Sequence, residues 1–216
     1  MNGALLRVAT AAEVLAELSA PEALDALSEA ERDRMERLRL PADRRDFLAA
    51  HVLVRLIAAQ WLGADPESPA APEPGAVEIV QSCAVCGGPH GVPRIKGRPD
   101  LQASMSHSRG FVAAAVARVP VGIDVEALAG IEVPAGALHP AEQEALQAAS
   151  PAATDSYTGP AAARLWVRKE ALVKTGALAL EQAGGVDVRD DRCRGARIDD
   201  LAAPPGAVAA LALLTD

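Results

Sequence analysis

Two short stretches carry side chains able to act together chemically: Gly122-Ile123-Asp124-Val125-Glu126 and Trp166-Val167-Arg168-Lys169-Glu170-Ala171-Leu172-Val173-Lys174. In an extended chain residues i and i+2 share a face, so Asp124 and Glu126 stand side by side while Ile123 and Val125 turn to the core. Two adjacent carboxylates repel each other unless a cation lies between them. The second stretch reads as a helix on which Glu170 and Lys174, four apart, are neighbours on one face. Trp166, four before Glu170, can anchor that face, and Lys169 projects away, free to reach a phosphate oxygen. An acid pair with a separate acid-lysine helix suits a Mg²⁺ site that handles a phosphorylated ligand. The donors include neither imidazole nor thiolate, which points to a hard ion rather than zinc. The competing reading is of solvent-facing strand residues and a surface ion pair, worth only about 0.3–0.5 kcal/mol.

Upstream lies Ser104-Met105-Ser106-His107-Ser108-Arg109-Gly110. Placed just before a strand, its hydroxyls, backbone N–H groups and imidazole can face an anion. Nothing around these serines resembles Gly-x-Ser-x-Gly, so a serine hydrolase is rejected in favour of phosphate binding.

These residues need elements to hold them. Helices are expected over 11–19 and 21–40, the latter opened by Pro21 and broken by Pro41. Asp43 reads as the N-cap of a helix over 44–62, with Phe47, Leu48, Val52, Ile57 and Trp61 on its apolar face and Gly63 as its stop. A Pro-rich stretch over 63–76 and a Gly/Pro-rich one over 83–100 read as loops, with a short strand over 77–81 between them. Strands are expected over 111–119 and 121–126, helices over 140–149 and 161–178, a loop over 150–160, and a final apolar run over 206–214. Each half offers helices and a few antiparallel strands, so the fold class is α+β, as two similar subdomains over 1–119 and 120–216.

With 216 residues, half of them hydrophobic, the chain can bury a full core. The formal charge of −8 argues against a general nucleic-acid binder. The N-terminus lacks a long apolar region and meets Glu13 early, and no uninterrupted apolar run approaches membrane-spanning length. A soluble cytoplasmic protein is expected, with no membrane partner. Three cysteines without an export signal do not make a disulfide framework.

Ser106-His107-Ser108, then Gly-Ile-Asp-Val-Glu, then Trp-x-x-Lys-Glu-Ala-x-x-Lys, in this order and spacing, resembles the 4′-phosphopantetheinyl transferase superfamily. The resemblance spans roughly 28–214, and the added N-terminal half is similar to the Sfp-type branch, which is monomeric and built as two pseudo-symmetric halves. It implies transfer of the phosphopantetheine arm of coenzyme A to a serine of an apo acyl or peptidyl carrier protein, with release of adenosine 3′,5′-bisphosphate. Asp124, Glu126 and Glu170 would hold Mg²⁺ against the pyrophosphate, and Lys169 and Lys174 would neutralise the phosphates. Ser106 and His107 would contact the phosphates, and Arg44 and Arg45 the 3′-phosphate. A Gly-x-Pro step ahead of the serines is matched at Gly91-Val92-Pro93 and at Gly97-Arg98-Pro99, with Pro93 the candidate contact. Glu142 matches an acid proposed as general base toward the carrier serine; a metal-bound water could serve instead, and a helix N-terminal glutamate acting through the dipole is the competing reading. The carrier would dock through apolar contacts near 137–149. The branch ties such enzymes to polyketide and nonribosomal-peptide carriers of secondary metabolism.

Two alternatives stand beside the transferase. One is a non-catalytic coenzyme A or nucleotide binder, although none of the expected acids and lysines is missing. The other is a zinc-loop interaction module built on Cys83, Cys86 and His90, for which a fourth ligand is lacking unless distant Cys193 serves.

Overall fold

The apolar segments on either side of Pro120 become neighbouring strands of two different antiparallel sheets. The structure, a computed structural model, describes residues 3–64, 72–81, 87–88, 91–149 and 156–215. Cys83, Cys86 and His90 lie outside the described residues, as do parts of the expected loops over 63–76 and 150–160.

The first sheet runs β1 (Ala4–Thr10), β5 (Phe111–Ala117), β4 (Gln102–Ser108), β3 (Pro93–Ile95), β2 (Ile79–Gln81), with every pair antiparallel. The second runs β6 (Val121–Ala127), β11 (Ala207–Leu214), β10 (Ala196–Leu201), β9 (Arg192–Cys193). A two-stranded ribbon pairs β7 (Val133–Pro134) with β8 (Ser156–Tyr157). Helices α1 (Ala11–Leu15), α2 (Ala20–Asp25), α3 (Glu29–Glu36) and α4 (Pro41–Ala64) belong to the first half, and α5 (Pro140–Ala149) and α6 (Pro160–Lys174) to the second.

Helix α4 covers one face of the first sheet and α6 one face of the second. Strand β5 is buried on both sides, which is why it reads as an unbroken apolar run. Its Val112, Ala114 and Val116 meet α4, while Ala113, Ala115 and Ala117 meet Val121, Ile123 and Val125 of β6. Strand β6 pairs with β11 on one edge and forms the border of its sheet on the other, beside β4. The α+β class expected above is the observed one.

Several expectations change. The helix expected over 21–40 is two helices, because Ser28 forms a capping box with Glu31 and starts a new one. Pro41 opens α4 rather than leaving Asp43 to cap it. Strand β1 was not expected, β3 lies inside the stretch read as a loop, and Ser106-His107-Ser108, while it does precede the expected strand at 111, is itself part of a strand, β4. By length and composition α4 suffices to cross a membrane, although His51, Arg55 and Gln60 interrupt its apolar run, and 72% of its most apolar window is buried in the protein.

Candidate functional site

Site geometry begins at the open edge of β6. An edge strand presents unpaired backbone groups that need partners. Here they are met by side chains from β4: Ser104 Oγ accepts the Ile123 N–H (3.0 Å) and Ser108 Oγ accepts the Ala127 N–H (3.3 Å). Serines at 104, 106 and 108 share one face of β4 by the two-residue period of a strand. Ser106 Oγ donates to Asp124 Oδ1 (2.6 Å), and Ser108 Oγ donates to Glu126 Oε2 (2.6 Å).

The acid pair is therefore not solvent-facing. Asp124 is 3% exposed and Glu126 half-buried. Lys174, a surface partner of Glu170 in the competing reading, instead donates to Asp124 Oδ1 (2.7 Å) and to the carbonyl of Ile123 (3.1 Å). Gly122 makes this approach possible, since a Cβ there would lie 1.9 Å from the Ala171 carbonyl oxygen and 2.9 Å from Lys174 Cβ. Burial pushes the Glu126 carboxyl up, countered by the Ser108 hydrogen bond and raised further by Asp124. Burial likewise pushes up the half-buried Glu170, and Asp124 adds to the effect against the pull of Lys174.

Asp124, Glu126 and Glu170 thus lie within one another's electrostatic reach, although no three His, Cys, Asp or Glu among the described residues close around a single point. Their chemistry fits an oxygen-preferring divalent cation. Asp124 Oδ2 is buried without a hydrogen-bond partner among the described residues, and the Glu126 and Glu170 carboxyls are raised mainly by burial, with neighbouring carboxylates adding to it.

Two cavities lie near these acids, the first through Ser106 and Lys174, which bond Asp124, and the second through Glu126 itself. One, of about 450 Å³, is lined by Arg34, Phe47, Pro93, Ser106, His107 and Lys174, among others. The other, of about 430 Å³, is lined by Ser108, Glu126, Glu132 and Trp166 among others, so Trp166 both packs on the core and walls a cavity. Of the two Gly-x-Pro steps, Gly91-Val92-Pro93 borders the first cavity. The protein around the ring holds the His107 imidazole below its ordinary pKa, and the Asp46 carboxylate opposes that shift.

Four expected roles are corrected. Lys169 does not reach a phosphate: it is 0% exposed, donates to the carbonyls of Ala183 (2.8 Å) and Val186, and lies 2.9 Å from Glu142 Oε2. Glu142, also 0% exposed, is no base for a partner's serine, because its oxygens accept the N–H groups of His139 and Val188 (both 2.8 Å). This is the helix-terminus reading of Glu142, with a buried cation added. Arg44 is turned to the carbonyls of Leu38 (2.8 Å) and Glu36 (3.0 Å), bracing the corner between α3 and α4. Arg45 is exposed beside Asp46 (3.6 Å), and the arginine that does line the first cavity is Arg34, whose guanidinium lies over the Phe47 ring (5.7 Å). Ser106 lines that cavity too, but its one proton goes to Asp124. At the expected docking segment over 137–149, Leu138 is buried and Leu146 half-buried, and exposed Ala145, Ala148 and Ala149 are mixed with exposed Glu144 and Gln147.

What places Arg34 escaped the sequence reading. Glu31, one turn before it on α3, is buried against α4, accepting from His51 Nδ1 (2.8 Å) and from Arg55 Nη2 (2.7 Å). Burial alone would raise the Glu31 carboxyl; the His51 hydrogen bond and the Arg55 guanidinium hold it at about 2. Since residues three apart share a helix face, seating Glu31 aims Arg34 at Phe47. The signal was the spacing Glu31/Arg34 against Phe47/His51/Arg55.

Residues 120–208 match the 4′-phosphopantetheinyl transferase superfamily. The matched region takes in β6, α5, α6, β9 and β10 but only the first two residues of β11, and hence all three acids and Lys174; Arg34 and His107 lie outside it. The chain is also 29% identical over 151 residues to a Bacillus subtilis protein named 4′-phosphopantetheinyl transferase. That alignment covers 69% of this chain and 59% of the relative's length.

Proposed function

We propose that the protein transfers the 4′-phosphopantetheine moiety of coenzyme A to a serine hydroxyl of an apo carrier protein, releasing adenosine 3′,5′-bisphosphate. The observation that carries this reading is the acid trio Asp124, Glu126 and Glu170 beside a cavity whose cations are Arg34 and Lys174. Asp124, Glu126 and Glu170 are the residues that would hold a Mg²⁺ ion. When bound, that ion supplies positive charge against the pyrophosphate as the leaving phosphate gains charge.

The chain's own residues do the rest. Arg34 gives the cavity the charge to take the phosphorylated nucleotide end, and His107, kept neutral by the protein around its ring, offers a ring N–H, with Phe47 as an apolar wall. Lys174, at the seam of the two sheets, is placed between Asp124 and that cavity, where its ammonium offsets charge on the bridging phosphates. The nucleophile belongs to the carrier, so no activated serine or cysteine of this chain is needed. With Glu142 sealed in the interior, the serine proton leaves by another route. We place the enzyme in the Sfp-type branch, acting as a cytoplasmic monomer on polyketide or nonribosomal-peptide carriers, because both halves of the site lie on one chain. Incubation with coenzyme A, Mg²⁺ and several apo carriers should add one phosphopantetheine to a carrier in intact-mass spectra. No gain on any carrier would overturn the assignment.

A further inference from the structure

The serine rungs between β4 and β6 do more than close a sheet edge. Ser108 Oγ accepts the Ala127 N–H (3.3 Å), which fixes the rotation of the hydroxyl, and its single proton is then directed to Glu126 Oε2 (2.6 Å). Glu126 therefore has its Oε2 oxygen held by the Ser108 hydroxyl. The strand end carrying Ser108 is itself pinned. It enters the two-residue turn Arg109-Gly110, with φ of 43° and 93°, a geometry of the tight hairpin turn that matches strand twist. From α4 the buried Asp46 accepts the Gly110 N–H (2.6 Å), and Arg109 donates to the carbonyl of Ala129, just past β6. The hydroxyl that orients Glu126 is thus tied to α4 on one side and to the end of β6 on the other.

We propose that Ser108 is a positioning residue for the cation-binding carboxylate of Glu126, setting which oxygen the site presents to a divalent ion. This rests on the reading of Glu126 as a ligand. A hydroxyl that aims a ligand carboxylate acts as other outer-shell partners of metal sites do, through affinity for the ion. Because Ser108 also lines the second cavity, a threonine methyl has room there, so Ser108→Thr keeps the hydroxyl while Ser108→Ala removes it.

The test is Mn²⁺ affinity of the full chain without coenzyme A, read from the free Mn²⁺ signal in electron paramagnetic resonance, alongside thermal melting and transfer assays. S108A should weaken Mn²⁺ binding roughly tenfold, and S108T should stay within about twofold of wild type. Turnover of S108A should recover when Mg²⁺ is raised by about the same factor, which a merely structural defect would not allow. Wild-type affinity in S108A, or equal weakening in S108T, would overturn the role of Ser108 while leaving the transferase reading intact so long as wild type still modifies a carrier. A wild-type protein that binds no Mn²⁺ would overturn the reading of Glu126 as a ligand and the role of Ser108 with it.

Discussion

Replacing Gly122 by Ala is the most direct structural perturbation of the seam between α6 and β6. No positive φ applies at Gly122, so the backbone tolerates alanine and only space is at issue. The added Cβ would lie 1.9 Å from the Ala171 carbonyl oxygen and 2.9 Å from both the Ala171 carbonyl carbon and Lys174 Cβ. Bringing the closest contact to an ordinary 3.4 Å means moving α6 off the sheet by about 1.5 Å. The helix packs there through Ala171 and Leu172, both fully buried, so overpacking should lower stability by about 1–3 kcal/mol. The same shift lengthens the 2.7 Å contact of Lys174 Nζ with Asp124 beyond hydrogen-bond range and carries Glu170 away from β6. A misplacement of this size in a catalytic constellation costs on the order of 100-fold in rate. Urea unfolding with far-UV circular dichroism reads the first effect, and single-turnover transfer to a carrier the second. A G122A protein with wild-type stability and rate would refute the close approach on which this account of the site depends.

Two further outcomes follow from buried charge. Glu142→Ala leaves the Lys169 ammonium sealed without its counter-ion and should destabilise by about 3–5 kcal/mol, whereas the double change Glu142→Leu, Lys169→Met should recover most of that loss and retain transfer, as measured by chemical unfolding and carrier modification; a stable double variant without any transfer would restore a chemical role to the pair. Glu31, held at about 2 against an ordinary 4.5, contributes about 3 kcal/mol that is present in full above pH 4.5 and lost as pH falls from 4.5 toward 2. Unfolding free energy followed across that range should fall less steeply in Glu31→Gln than in wild type, and identical slopes would show that Glu31 is not depressed.

How far the sequence could be read is clearest residue by residue. The two-residue spacing of Asp124 and Glu126, and the helix carrying Glu170 and Lys174, were legible because they depend only on local geometry. Lys169 was not: its neighbour Glu170 turns to the site, while Lys169 faces inward to carbonyls at 183 and 186 and to an acid 27 positions back, pairings that local spacing does not encode. The same holds for the arginines. Six of them lie between 32 and 45, and long-range seating of Glu31 against His51 and Arg55 selects Arg34 for the cavity. Strand β1 escaped notice because its alternation is interrupted by small residues, and its pairing with β5 spans about a hundred positions of chain. The period of Ser104, Ser106 and Ser108 was present in the sequence, but placing them only before a strand, without a strand of their own, hid that they face β6.

The central claim is that a divalent ion joins the three acids to the diphosphate of coenzyme A. Calorimetric titration of coenzyme A into the protein, once with Mg²⁺ and once with a chelator, measures that coupling directly. Coenzyme A should bind at least about tenfold more tightly with the ion present, Mg²⁺ should gain the same factor from coenzyme A, and Glu126→Gln should abolish the difference. Equal affinities with and without Mg²⁺ in the wild-type protein would contradict the account.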